Sequence, residues 1–461
     1  MQTKLVALAA LSVLIPGLIP ATARAEDPKG DVAWDIVAGL TTEIGQRLAG
    51  SPREAAARAW AKARLEKLGF VHVTIEPFPI KGYVRGTDAA MLTAPVPQHL
   101  AVAALGYSGT TPATGIEAEM VYFRDLDDLK AAPAGSLAGK IAFIDHAMRA
   151  NQDGSGYGPY GQVRRAGPSI AASKGAVGVV IRSAGTDHNR DPHTGATNWA
   201  AGIAPVPAGA LSNPDADLIA RTAGLAAKLR KPMRLTLTLT GHTQDGLPSG
   251  NVIGELPGRD LKLTPILVGC HLDSWDLATG AIDNAAGCAI VTAAALKAQA
   301  GGQNGKERPL RTIRVLWAGS EELGGFGGLA YAKNHARELH ALAMESDFGA
   351  DRVWKAKINL APADKPLADA VIAALNPMGI VAGVAPAQGG TDVEPIIAAQ
   401  HLAVIDMAQD GTRYFDLHHT PDDTLDKIDP AQLAQNVNAW TAVLKVLANA
   451  PVISPITAAA Q

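Results

Sequence analysis

PILVGCHLDSWDLATGAIDNAAGCAIVTAAALKAQA, residues 265–300, is the stretch that decides the fold. It opens with a short apolar run, Pro265 to Gly269, which is typical of a buried strand. It closes with an Ala-rich segment, Asn284 to Ala300, which predicts a helix. Polar residues, among them His271 and Asp283, occupy the loop between the two. A strand, a polar loop and a helix in this order predict an α/β unit with its site at the carboxyl end of the strand.

The same pattern recurs on both sides of this stretch. The predicted strands are Val71 to Ile80, Asn251 to Leu256 and Thr312 to Trp317, and the predicted helices are Ala55 to Leu68, Gly327 to His340 and Pro430 to Ala448. The strands after residue 250 are short and nearly all apolar, as expected for a sheet that is covered on both faces. We therefore predict an α/β fold of three layers, in which a mixed, mostly parallel sheet carries helices on both faces.

Residues 84–239 have a different pattern and predict an inserted α/β domain. Glycine, proline and threonine become more frequent there, short β runs alternate with turns, and a helix is predicted over Gly167 to Lys174. The first domain is then discontinuous, with residues 26–83 and 240–455, and it is followed by a tail at 456–461. A chain of 461 residues is long enough for two domains that each bury a core.

Residues 1–25 have the features of a signal peptide. Lys4 precedes the apolar run Leu5 to Ile19, and Ala23-Arg24-Ala25 forms a small-x-small cleavage site. The run is shorter than a membrane span of about 20 residues and contains prolines and a glycine, so an uncleaved anchor is the weaker interpretation. No integral membrane span is predicted further along the chain. We expect export, either to the periplasm or out of the cell.

Charge and cysteine content narrow the class of protein. The chain has 41 basic and 44 acidic residues; cleavage would remove Lys4 and Arg24, which leaves 39 against 44 and a net charge of −5. Nothing in this balance attracts nucleic acid. The two cysteines, Cys270 and Cys288, flank the candidate site, and the sequence leaves open whether they form one bridge or remain two buried thiols.

Three residues of the opening stretch, 265–300, are candidates for a functional site. His271 follows its strand at once, and Asp273 stands two residues further on. A ligating imidazole needs an acceptor for its other ring N–H, which makes Asp273 a candidate partner of His271. A histidine that is hydrogen-bonded within a loop is the alternative. Asp283 precedes the predicted helix, and it equally fits the role of a helix N-cap.

The adjacent pair Glu321-Glu322 is the strongest signal for chemistry. It follows the apolar strand that ends at Trp317 and precedes Leu323-Gly324-Gly325. Adjacent side chains point in different directions, so one carboxylate can bind a metal while the other acts as a general base. A solvated charged pair at the start of a helix is the alternative.

Two later segments complete the set of candidate ligands. Asp347 follows another apolar run, and His418-His419 lie in a late loop. Two histidines and three carboxylates, with a further glutamate to spare, suit two divalent ions that share one bridging carboxylate. The sequence therefore predicts a two-metal hydrolase.

Five segments give the chain a resemblance to the co-catalytic zinc exopeptidases, the aminopeptidase family, and within it to the carboxypeptidase Q branch. They are GCHLDSWD at 269–276, GAIDNAAG at 280–287, GSEELGGFGG at 319–328, ESDFG at 345–349 and HHTPDDT at 418–424. Residues 159–183 and 191–195 resemble the protease-associated insertion of that branch. The resemblance implies the zinc exopeptidase fold for the catalytic domain.

The resemblance also implies a role for each residue of the predicted site. The implied metal ligands are His271, Asp283, Glu322, Asp347 and His419. Asp283 would bridge two Zn²⁺ ions, with Glu322 and His419 completing one site and His271 and Asp347 the other. His419 is preferred to His418 because the family's ligand directly precedes the Thr or Ser of this motif. Nitrogen and oxygen ligands of this kind also accept other divalent ions, such as manganese or cobalt.

The implied catalytic residues are Glu321, as general base, and Asp273, as support for His271. Four further residues are candidates for substrate binding: Asp392, Tyr414, His193 and His418. Asp392 lies in GGTDVEP, where simpler aminopeptidases more often carry Ser-Asp-His. Tyr414 is a candidate donor to the oxyanion, with a core tyrosine as the alternative.

The sequence thus predicts an exported di-zinc exopeptidase that acts on dipeptides or short peptides as an aminopeptidase, dipeptidase or carboxypeptidase. Water activated by the two metals would attack the peptide bond, with a glutamate as base. The alternatives are a metal-dependent hydrolase of a non-peptide amide and a non-catalytic binding relative of the same fold. A peptide is the expected partner, and the oligomeric state is open, with a homodimer as one option.

Overall fold

The computed structural model describes residues 31–300 and 308–456. The predicted signal peptide, residues 1–25, lies outside the described residues, as does the predicted tail after residue 456.

The described residues fold into two eight-stranded sheets with helices against them. The strands are β1 Val71–Val84, β2 Asp88–Ala94, β3 Gln98–Leu100, β4 Val102–Ala104, β5 Ile116–Phe123, β6 Ile141–Ile144, β7 Gly178–Arg182, β8 Ala208–Leu211, β9 Met233–Leu239, β10 His242–Leu256, β11 Ile266–His271, β12 Ile313–Ala318, β13 Leu342–Glu345, β14 Val353–Asn359, β15 Val381–Ala382 and β16 Ala403–Gln409. The α-helices are α1 Val32–Gly39, α2 Pro52–Lys67, α3 Leu126–Ala131, α4 Tyr157–Ser173, α5 Asn213–Leu229, α6 Ala286–Gln299, α7 Phe326–Asn334, α8 Lys365–Leu375, α9 Glu394–Gln400, α10 Tyr414–Leu417 and α11 Pro430–Ala448.

The first sheet has the strand order β1-β10-β12-β11-β13-β16-β14-β15. Its centre, β12-β11-β13-β16, is parallel. The pairs β1-β10, β10-β12 and β14-β16 are antiparallel, and β15 pairs parallel with β14 at the edge. This mixed sheet confirms the predicted architecture. Because parallel strands end at the same edge, the segments that follow β11, β12 and β13 lie side by side.

Helices cover both faces of this sheet, because its central strands alternate their side chains between two cores. Ile266 and Val268 of β11 pack into the larger core with α1, α6 and α11. Leu267, between them, packs into a second core that includes Tyr331 of α7 and Ile396 of α9. Both faces of the sheet are therefore buried from solvent, as expected for strands that are continuous apolar runs.

The segment Ala281–Gln299, which includes α6, is the single helical segment of the described residues that is long and apolar enough to cross a membrane. Its side chains are almost all buried within the fold. It packs against α1 and α11, so it is a core helix of this domain.

The second sheet has the order β3-β2-β9-β5-β6-β7-β8-β4, and its strands all lie between Asp88 and Leu239. Strands β5 to β8 are parallel; α3 connects β5 to β6, α4 connects β6 to β7, and α5 follows β8. These strands fall inside the predicted insertion at 84–239. The domain boundaries and the protease-associated type of the insertion stay predictions.

Two helices differ from the sequence prediction. Helix α4 begins at Tyr157, well before the predicted start at Gly167, although its sequence contains several glycines and Pro168. Burial of Val163, Gly167 and Ala171 outweighs that poor propensity. Helix α7 ends at Asn334 and not at His340, because the backbone and ring of His340 hydrogen-bond the Gln400 side chain and draw the chain away.

Cys270 and Cys288 form a disulfide, which resolves the alternative that the sequence left open. The bond joins the end of β11 to the first turns of α6, across a sequence separation of 18 residues. It therefore closes the loop that carries the candidate ligands His271 and Asp283.

Replacing both cysteines, as Cys270→Ala/Cys288→Ala, should lower the free energy of unfolding by about 3 kcal/mol, since the bridge restricts an 18-residue loop in the unfolded chain. Denaturant unfolding followed by circular dichroism measures the change. Reductant should shift the wild-type midpoint by a similar amount and leave the double variant unaffected. An unchanged midpoint in the double variant would contradict the expectation.

Candidate functional site

Neighbouring strand ends of the first sheet bring the predicted residues together. His271 is the last residue of β11, Glu321 and Glu322 follow β12, and Asp347 follows β13. Register pairs His271 with Ala318 and Gly269 with Glu345, so the three strands end at nearly the same level. The candidate ligands therefore converge at one edge of the sheet.

Asp283 reaches the same edge through a loop that is held by a distant carboxylate. The Asp423 side chain accepts the backbone N–H groups of Ala281 at 2.8 Å, Ile282 at 2.7 Å and Asp283 at 3.2 Å. Burial raises the pKa of Asp423 to about 7, against these hydrogen bonds. The peptide bond that follows Asp283 is cis. Asp283 is thus presented by a loop and is not a simple helix cap.

His271 is fully enclosed by acceptors. Its Nε2 atom lies 2.9 Å from Oδ1 of Asp283 and 3.1 Å from Oδ1 of Asp347. Its Nδ1 atom lies 3.0 Å from the backbone carbonyl of Asp273 and 3.6 Å from the Asp273 carboxylate. An N–H at Nδ1 bonded to that carbonyl leaves the Nε2 lone pair directed toward the two acids, as a ligand requires.

The second oxygen of Asp283 faces the late histidine loop. Oδ2 of Asp283 lies 3.2 Å from Nε2 of His418 and 3.3 Å from Nε2 of His419. His419 Nε2 is also 2.7 Å from Oε2 of Glu322. One carboxylate therefore separates His271 and Asp347 on one side from His419 and Glu322 on the other.

His419 has the better supported geometry of the two adjacent histidines. Its Nδ1 atom is 3.1 Å from the carbonyl oxygen of Thr194, which fixes Nε2 as the free ligand atom. Its ring lies between those of Trp275 and His193, with centroid distances of 5.2 Å and 5.5 Å. His418 contacts Asp283 as well, but not Glu322, and its Nδ1 lies 2.7 Å from Nε2 of His193.

Asp273 supports the site in a second way that the sequence did not indicate. Its carboxylate is fully buried and accepts the backbone N–H of Glu321 at 3.1 Å and that of Glu322 at 3.3 Å. The strand end that carries His271 is thereby tied to the segment that carries the two glutamates. Asp273 positions both the candidate base and two candidate ligands.

Burial and the neighbouring charges shift the pKa values of the acids and histidines in this site. Burial raises the pKa of the Glu321 carboxyl well above its usual range, and Asp347 and Glu322 raise it further. Against the effect of burial, His418 and His271 hold the pKa of Asp283 well below its usual range. Metal ligands bind in their deprotonated forms, so a divalent cation bound here would displace protons from this group.

The donor set fits a metal ion. Donor atoms within 4.8 Å of one another are found in the group of His271, Asp283 and Glu322 and in the group of His193, His418 and His419. Within the described residues, Oε1 of Glu322 is buried and has no hydrogen-bond partner, which leaves one carboxylate oxygen of this group for a cation. Imidazole and carboxylate ligands suit zinc and its divalent neighbours.

A cavity of about 420 Å³ opens above these residues. Its lining includes Asp283, Glu321, Glu322, Asp347 and His419 from the first-sheet domain, and Tyr107, Tyr157, Arg164, Arg165 and Asn198 from the 84–239 region. The Tyr107 hydroxyl lies 2.7 Å from the Leu323 carbonyl oxygen and joins the two regions beside the glutamates. A cavity of this size accommodates a small ligand.

The candidate substrate-binding residues have different positions. Tyr414 and His418 line the cavity. Asp392 is fully buried beneath it, and the neighbouring Thr391 lines the cavity instead. His193 is also fully buried and contacts His418. Asp392 and His193 are therefore buried outside the lining of the cavity.

Two positioning residues were missed by the sequence analysis. Arg47 is fully buried and donates to the carbonyl oxygens of Leu272, Thr279 and Gly280, so it holds both ends of the ligand loop. Burial lowers the pKa of Arg47 to about 10, although Asp423 opposes the shift. The sequence contains no signal for Arg47. Asp423 could have been identified from the sequence, because it lies in HHTPDDT, one of the segments that carry the family resemblance.

A family model described as peptidase family M28 matches residues 251–444. Carboxypeptidase Q of Rattus norvegicus is 30% identical over 413 residues, which cover 89% of this chain and 84% of that protein. The crystal structure of a peptidase M28 precursor from Shewanella amazonensis SB2B has a TM-score of 0.88 at 44% identity and covers 94% of this chain and 96% of that one. BSAP, a zinc aminopeptidase from Bacillus subtilis, has a TM-score of 0.62 at 18% identity over 89% and 93% of the two chains, a likeness of fold alone.

Asp423→Asn should weaken metal binding by about 10- to 100-fold, because the amide offers one acceptor oxygen to three backbone N–H groups and no longer fixes Asp283. Metal content after dialysis against a buffered chelator measures the effect. Asp422→Asn is the matched control, since that partly exposed acid pairs with Lys427 and does not contact the loop. Equal metal retention by both variants would contradict the assigned role of Asp423.

Proposed function

Since the chain belongs to peptidase family M28, we propose that it is an exported di-zinc exopeptidase that hydrolyses dipeptides or short peptides. The family itself makes the chain a metal-dependent exopeptidase with peptide substrates. The number of ions, the residue roles, the preferred peptide length and the export are the proposed parts.

The di-metal proposal rests on the position of Asp283 between the two groups of candidate ligands. One of its oxygens faces His271, and the other faces His419 and His418. A carboxylate that lies between two sets of nitrogen and oxygen donors is the arrangement of a bridging ligand. We assign His271 and Asp347 to one ion, Glu322 and His419 to the other, and Asp283 to both.

Glu321 is the residue that we assign as general base. It lines the cavity beside the ligands, and its backbone N–H is anchored to Asp273. Two divalent ions, when bound, supply Lewis acidity that polarises a peptide carbonyl and acidifies water. The Glu321 carboxylate accepts the proton of the attacking water and delivers it to the departing amine.

Export is supported by two independent features. Residues 1–25 have the composition of a signal peptide. The disulfide between Cys270 and Cys288 requires an oxidising compartment to form and persist. A periplasmic or secreted location satisfies both.

Glu321→Gln should lower kcat for dipeptide hydrolysis by about 10²- to 10⁴-fold and leave metal content unchanged, because the amide cannot accept a proton. Glu322→Gln is the matched variant at the next residue, and it should lose metal as well as activity. Steady-state kinetics and elemental analysis of the two proteins separate the roles. Full turnover by Glu321→Gln would remove this residue as the base.

Metal analysis tests the number of ions directly. We expect two zinc ions per chain in the purified protein, and loss of both activity and metal after treatment with a chelator. Zinc, manganese or cobalt should restore hydrolysis, since nitrogen and oxygen ligands accept each of them. A saturating stoichiometry of one ion per chain would overturn the di-metal proposal while leaving the family assignment in place.

A further inference from the structure

Two adjacent arginines line the cavity together with the carboxylates of the candidate metal centre. Arg164 and Arg165 lie in the middle of α4, within the 84–239 region. Both line the same cavity as Asp283, Glu321 and Asp347. The lining of the cavity therefore carries charges of both signs, from the acids and from the two guanidinium groups.

In the part of the chain that the structure describes, neither guanidinium forms an ion pair with a carboxylate. Arg164 is 8% exposed; its Nη1 atom donates to the Thr194 carbonyl at 2.8 Å, and its buried Nε atom has no partner. Arg165 donates Nη2 to the Gly158 carbonyl at 3.1 Å. Buried cations are nearly always paired with an anion. We therefore expect a bound anion beside the guanidinium groups of Arg164 and Arg165.

The position of Arg164 is built into the fold. Its guanidinium carbon lies 5.6 Å from the centroid of the Tyr157 ring, in a cation–π contact. Gly195 leaves the room for it, since a Cβ atom there would lie 1.9 Å from Nη1 of Arg164 and 2.9 Å from Nδ1 of His419. Arg164 and His419 also share the Thr194 carbonyl as acceptor. The guanidinium is thus fixed directly behind a candidate metal ligand.

The two like charges disfavour each other in the free protein. Burial lowers the pKa of Arg165, and the neighbouring Arg164 lowers it further. A carboxylate between the two groups would relieve that repulsion and would accept charge-assisted hydrogen bonds from the unpaired N–H groups. Guanidinium groups are well suited to this task because their fork of donors matches the two oxygens of a carboxylate.

The distance from the metal centre limits what such an anion can be. An extended dipeptide spans about 7 Å, so its terminal carboxylate must lie close to the scissile bond. Nη1 of Arg164 is 3.4 Å from Nδ1 of His419, whose opposite ring atom faces Asp283. A carboxylate one residue beyond the scissile carbonyl meets this requirement, whereas a C-terminus several residues beyond the scissile bond does not.

We propose that Arg164 and Arg165 bind the free C-terminal carboxylate of a substrate whose scissile bond is its last peptide bond. The proposal rests on the proposed peptidase function and names the part of the substrate that this cavity selects. The side chain of Asn198, which also lines the cavity, is in place to donate to the same carboxylate. The 84–239 region therefore provides substrate selectivity, and the first-sheet domain provides the metal centre.

The test compares one dipeptide with its C-terminal amide on the metal-loaded, full-length protein. The wild type should show a kcat/KM for the free acid about 100-fold above that for the amide, because amidation leaves one buried and one partly buried cation unpaired. In Arg165→Met and Arg164→Met this ratio should fall toward one, and Arg165→Lys should recover part of it. Arg221→Met, at an exposed position of α5, should keep the wild-type ratio.

A direct binding measurement makes the two proposals separable. Titration calorimetry on metal-loaded Glu321→Gln should give tighter binding of the free-acid dipeptide than of the amide, and Glu321→Gln/Arg165→Met should lose the difference. A wild-type ratio near one, or an unchanged ratio in both arginine variants, would overturn the carboxylate assignment. Hydrolysis of neither compound by the wild type would overturn the peptidase proposal, and the binding preference would then decide the carboxylate assignment by itself.

Discussion

The site depends on one buried carboxylate that lies outside the set of candidate ligands. Asp423 accepts three successive backbone N–H groups, those of Ala281, Ile282 and Asp283, and so fixes the loop that presents Asp283. Arg47 holds the same loop from the other side through the carbonyls of Leu272, Thr279 and Gly280. Without these contacts, a short loop of small residues would have many conformations, and the central carboxylate would have no defined position between the two groups of donors.

The second sheet changes what the metal centre is able to recognise. The strand ends of the first sheet supply acids and histidines, which would bind cations and activate water but offer no group that selects one end of a peptide. The 84–239 region adds Arg164, Arg165 and Thr194, which contact or face the same cavity. Groups of opposite charge from the two regions thus line one small cavity, and the proposed preference for a free C-terminal carboxylate depends on their proximity.

Several parts of the fold and site follow from local sequence pattern. The buried strands β11 and β12 are continuous apolar runs, and the residues after them are the acids and histidines that converge in space. The start of helix α4 was predicted ten residues too late, because its glycines and Pro168 lower the helix propensity of a segment that tertiary burial makes helical. Arg47 gave no signal at all, since its partners are backbone carbonyls more than 220 residues away in the chain.

The sequence by itself determined the layered α/β architecture and the set of donors. Hydrophobic periodicity, expected burial and residue type can be read from short segments, and the ends of neighbouring parallel strands place the donors at one edge of the sheet. Tertiary structure alone decided how those donors are used. It made Cys270 and Cys288 a bridge, turned Asp392 and His193 away from the cavity, and gave His419 its contact with Glu322. Each of these depends on distances between segments that are far apart in the chain, and only packing fixes such distances.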